Sequence, residues 1–70
     1  MTRIQAANDR ATEADNAMSR GDHAAAARNY TQAAEQLEAI WWAMHRSTKS
    51  PDAQNMRRLA SIAIKQRDAA

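Results

Sequence analysis

Met18-Ser19-Arg20-Gly21-Asp22-His23-Ala24 contains the only glycine of the 70-residue chain, and its reading decides the fold. Gly21 can enter the left-handed region that ends a helix, and the Asp22 side chain can cap the helix that follows. So short a break between two helical segments predicts an antiparallel hairpin. Upstream, Thr2 and Gln5 have the spacing of a capping box, and no Pro or Gly interrupts the chain before Gly21. Ile4, Ala7, Ala11, Ala14 and Met18 recur every three or four residues, which places them on one face of helix 1. That stripe consists mostly of methyl groups, so it permits close approach but contributes little buried area.

Downstream, helix 2 is expected from about His23 to Arg46. Its apolar face comprises Ala26, Tyr30, Ala33, Leu37, Ile40, Trp41 and Met44, with side chains growing larger toward the C-terminal end. The gradient predicts a tight end at the hairpin turn and a wider end at the tryptophans. Ser47-Thr48-Lys49 begins a second break. Ser50 stands where a cap is needed, Pro51 at a first helical position where its missing amide costs nothing, and Asp52 in the first turn, where it favours the helix dipole. Helix 3 then runs from Pro51 to about Asp68, with Met56, Leu59, Ala60 and Ala63 on one side and Arg58, Ser61 and Lys65 facing away. The expected fold is all-α, an antiparallel up-down-up three-helix bundle forming a single domain over residues 1–70, with helix 3 seated against both members of the hairpin. Ala26, Tyr30, Leu37, Trp41 and Leu59 are its expected structural residues.

A chain this short buries only about 60% of the surface its unfolded form exposes. Here the means of burial are modest: eighteen residues are Ala, and Phe and Val are absent. Alanine specifies helix strongly and a deep core weakly. Part of the missing burial is therefore expected from self-association or from a partner.

The net charge of +2 is unevenly spread. Residues 1–45 carry four Arg against six Asp or Glu, and residues 46–70 carry six Lys or Arg against two Asp. The basic final third suits either an acidic partner surface or ordinary solubilising charge on helix exteriors. The absence of Cys excludes disulfides and cysteine-ligated metals. No apolar run approaches the roughly 20 residues of a membrane span, and the N-terminal residues lack the apolar middle of a secretory signal. A cytoplasmic location is expected.

The residues offer little for catalysis. His23 and His45 stand 22 residues apart on one helix, or about 33 Å, so they cannot share a metal within one chain. Asp9 and Glu13 are neighbours on helix 1 and read as an exposed acidic pair, since paired carboxylates do chemistry where a pocket separates their pKa values. There is no glycine-rich phosphate loop, no HExxH motif and no Ser held near a His base. Arg57, Arg58, Lys65 and Arg67 make helix 3 basic. Two long helices around an abrupt turn nevertheless differ from a helix-turn-helix reader, and the sequence points away from direct nucleic-acid binding.

Adjacent helical residues point about 100° apart, so Trp41 and Trp42 cannot both occupy the apolar stripe. Trp41 falls on the Tyr30/Leu37 face and reads as structural. Trp42 falls toward Glu35, Glu38 and Arg46, where it is either a binding anchor or a cover folded over the bundle edge. With Arg46, Arg58 and Lys65 as orienting charges, Trp42 centres the candidate partner-binding set.

Gly21, Ala26, Tyr30 and Ala33 follow the pattern G-x(4)-A-x(3)-Y-x(2)-A and resemble a tetratricopeptide-type hairpin. Over most of the chain the closer resemblance is to the MIT (microtubule-interacting-and-trafficking) domain. Ala14, Gly21, Ala26, Tyr30, Ala33 and Leu37 look like its first hairpin, and Arg57-Arg58, Ile64 and Arg67-Asp68-Ala69 like its final helix. MIT domains bind short peptide motifs in grooves between helices, so the resemblance implies a noncatalytic adaptor or targeting module whose third helix helps line a groove. The expected function is a noncatalytic protein- or peptide-binding adaptor without cofactor. The alternative is a structural homo-oligomeric assembly protein.

Overall fold

A computed structural model describes residues 2–69 as three antiparallel helices, α1 (Arg3–Ser19), α2 (His23–His45) and α3 (Pro51–Ala69), with no strand among them. Each start has its cap. The Thr2 hydroxyl accepts from the Gln5 amide at 3.1 Å, and the Gln5 side chain accepts from the Thr2 amide at 3.0 Å. Asp22 accepts from the Ala25 amide at 3.2 Å, and Ser50 accepts from the Ala53 amide at 3.2 Å. The end of α1 is a Schellman turn. Gly21 stands at φ +78°, its amide donates to the Met18 carbonyl at 3.0 Å, and the Asp22 amide donates to the Ala17 carbonyl at 2.8 Å. The end of α2 is different. There the left-handed conformation falls on Arg46, at φ 56° and ψ 35°, a non-glycine residue in the region glycine favours.

The interior is made of methyl groups. Ala14 and Ala17 of α1, Ala26 and Ala27 of α2, and Ala60 and Ala63 of α3 form one buried cluster around Tyr30. Tyr30, 3% exposed, is the one large side chain among the described buried residues. Its hydroxyl donates to the Asp15 carboxylate of α1, which ties the hairpin together across the turn. Burial, then the bond to Asp15 and the nearby negative charge, push the Tyr30 phenol up to about 12.

Helix 3 sits differently from the sequence expectation. It packs along α2, as α1 does on the other side, while α1 and α3 barely meet. The result is flattened, with Cα extents of 39 × 23 × 13 Å. Three helices share a common axis only when large side chains fill the space between them. Alanine fills the narrow gap between two helices but not the hollow between three. Leu37, Trp41 and Leu59, expected as structural residues alongside the buried Ala26 and Tyr30, are correspondingly only partly buried.

Candidate partner-binding surfaces

The antiparallel arrangement brings the start of α1, the end of α2 and the start of α3 to the same end of the molecule, opposite the Gly21 turn. Here the side chains are large and the space between helices is open. Ile4, Leu37, Ile40, Trp41 and Met44 line a cleft of about 350 Å³, edged by Asn8, Ser50 and Asp52. Of these lining residues, Met44 is 71% exposed and Ile4 56%. The Trp41 ring lies against that of His45, with centroids 4.1 Å apart and the planes tilted by 38°. The sequence placed these α2 residues on the apolar face and expected a wider end at the tryptophans, and that end is open as a cleft. The signal for the cleft was the size gradient along α2, met from α1 only by Ile4 and Asn8.

Trp42 lies on a different side of α2 and is 49% exposed. It follows Glu38 by one helical turn and shares that strip of the helix. Glu38 receives a two-point bond from Arg57 of α3, with both N···O distances 2.7 Å. The Arg57 guanidinium holds the Glu38 carboxyl below the usual carboxylate range, and Glu38 in turn raises Arg57. Arg57, one of the basic residues counted on helix 3, is thus engaged in joining α3 to α2. Arg67 is paired with Asp68 at 3.1 Å.

The other residues expected to act with Trp42 are exposed but dispersed. Arg58 and Lys65 occupy the side of α3 away from Ala53, Ala60 and Ala63, with Ile62, 40% exposed, between them. Arg46 serves through its backbone as the C-cap of α2. Among the described residues, no side-chain hydrogen bond or ion pair joins Trp42, Arg46, Arg58 and Lys65 to one another. They form an exposed apolar anchor with separate charges, not a pocket. A second groove, between α2 and α3, is lined by Arg28, Thr31, Glu35, Ile64 and Arg67 and is more polar.

His23 is partly buried at the start of α2 and His45 is exposed near its end. Asp9 and Glu13 are both exposed on α1. No set of three or more His, Cys, Asp or Glu able to hold a metal ion occurs among the described residues, and no described helix is long and apolar enough to cross a membrane. No family model, curated protein or solved structure matches the chain. The likeness to MIT and tetratricopeptide units is supported only at the level of a compact three-helix bundle.

Proposed function

We propose that this chain is a noncatalytic helical module that binds a protein or peptide, with Trp42 as the principal anchor. The observation that carries this reading is the inversion of side-chain sizes. Alanine occupies the interior, whereas Trp42, Met44, Ile4, Ile62 and Ile64 are exposed. A rigid aromatic side chain on a helix exterior offers a large apolar area at small entropic cost, as interface anchors do. Arg58 and Lys65 favour an acidic partner as outlying charges that steer association and lose influence as salt rises. The resemblance of Ala14, Gly21, Ala26, Tyr30, Ala33 and Leu37 to an MIT first hairpin is in keeping with the same reading, because MIT domains bind peptide motifs. A cytoplasmic setting is part of the proposal.

Selection from a displayed peptide library tests it. Peptides are expected to be enriched on the full chain and to lose at least about tenfold in affinity on Trp42→Ala, the loss of an interface anchor. Enrichment of nothing, or of peptides that bind the Trp42→Ala chain equally well, refutes the Trp42 reading.

A further inference from the structure

We infer that the cleft is a binding site for a small organic cation, an ammonium group carried on a short apolar chain. The site is separate from the Trp42 strip, and the inference stands whether or not Trp42 anchors a partner.

The apolar part of the ligand follows from the lining. Leu37, Ile40 and Trp41 are partly buried, and with Met44 and Ile4 they surround a space of about 350 Å³. Small-molecule sites run from roughly 300 to 1,000 Å³ and combine apolar walls with a few polar groups. The cleft lies at the small end of that range and suits a short chain.

The sign of the charge follows from Asp52. Its carboxylate is the one charged group in the lining, and it forms no ion pair among the described residues. The other grooves with acidic linings differ. Asp9 and Glu13 share theirs with Arg10, and Glu35 shares its groove with Arg28 and Arg67. A carboxylate beside large apolar side chains, with no basic residue in the lining to answer it, favours a ligand that brings the positive charge itself. Arg46 and Lys49, in the break before α3, are exposed and stand outside the lining.

Two further features agree with that sign. Trp41 is an aromatic wall of the same cavity, and the face of an indole ring attracts a cation. His45, which lies against that ring, is outside the lining. Ser50 is buried and accepts from the Ala53 amide as the cap of α3. The Asn8 amide oxygen and the Asp52 carboxylate are then the acceptors left for ammonium N–H groups.

Three probes with one common chain test the inference: hexylammonium, hexanol and hexanoate. Each is titrated into the full chain carrying Trp42→Phe, outside the cleft, so that emission reports Trp41 alone. Hexylammonium is expected to shift that emission saturably to the blue. It should bind about threefold to fivefold more tightly than hexanol, the contribution of an exposed ion pair, with hexanoate weakest. Asp52→Asn should bring hexylammonium to the affinity of hexanol while leaving hexanol unchanged, which also shows the cleft intact. Without any substitution at Asp52, added salt should narrow the same gap. Met44→Ala, at an exposed lining position, should weaken all three probes, and circular dichroism confirms that each variant is helical. Equal affinity for the three probes, or a preference for hexylammonium that survives Asp52→Asn, overturns the inference. So does a Met44→Ala chain that binds all three as before, or the lack of a saturable shift with any probe.

Discussion

Removing one oxygen from Tyr30 tests the packing of the hairpin. In Tyr30→Phe the ring stays in the alanine cluster, but the bond to Asp15 is lost. A hydrogen bond to a charged group contributes about 1.5–3 kcal/mol. Asp15 is exposed and can recover water, so a loss of about 1–2 kcal/mol is expected at neutral pH. For a domain of this size that lowers the melting temperature by roughly 4–16 °C. The pH dependence is more specific. In the folded protein the phenol is raised to about 12 from its ordinary 10.0, so the native state holds this proton more tightly than the unfolded chain. Its contribution is complete below about pH 10 and drains as pH rises toward 12, by about 2–3 kcal/mol in all. The wild-type advantage over Tyr30→Phe should therefore shrink across that window and reverse near its upper end. Because Tyr30 is the only tyrosine, phenolate absorbance reports its ionisation directly. The midpoint is expected near 12 in the folded chain and near 10 in concentrated urea. A folded-state midpoint near 10, or parallel stability curves, refutes the account of Tyr30 as a buried, bonded tie between α1 and α2.

Three further outcomes follow from the same geometry. Glu38→Gln breaks a partly exposed ion pair and should cost less than about 1 kcal/mol by urea denaturation, with the difference shrinking at high salt. Because Arg57 lowers the Glu38 carboxyl, the pair's contribution is present above the usual carboxylate range and is lost as pH falls through it; a wild-type advantage that grows on acidification contradicts this. Arg46→Gly relieves a left-handed non-glycine cap and should stabilise the dilute monomer by about 1 kcal/mol, read as a higher melting temperature; a lower one contradicts it. Trp41→Ala should destabilise by about 1–3 kcal/mol, less than a fully buried aromatic, whereas Trp42→Ala should leave helicity and melting nearly unchanged; the reverse pattern on thermal unfolding contradicts the assignment of faces.

Helix ends were legible in the sequence because their chemistry is local. Thr2 with Gln5, Gly21 with Asp22, and Ser50 each satisfy backbone groups only a few residues away, and Pro51 follows Ser50 where a missing amide costs nothing. The divergence of Trp41 and Trp42 was legible for a related reason, since one helix fixes the angle between neighbouring side chains, but whether Trp42 stays open or folds over the bundle edge was not; it is 49% exposed. The Tyr30–Asp15 and Arg57–Glu38 bonds depend on how helices slide past one another, which no single stretch of sequence states. The position of α3 was hidden for a subtler reason. An apolar sector on helix 3 fits a central core or one neighbouring helix equally well, and only the small volume of the opposing alanines separates the two arrangements. Arg46 gave no warning of its left-handed backbone, because Ser47 and the residues after it marked the break chemically.

The most direct test of the binding proposal follows the two indole N–H resonances while a selected peptide is added to the full chain. Trp42→Phe assigns them, since only Trp41 and Trp42 carry that group. The proposal predicts that the Trp42 signal moves saturably with peptide, together with backbone signals on the same strip of α2, while the Trp41 signal moves little. Saturable movement of Trp41 with Trp42 unmoved, or no movement of either, contradicts it.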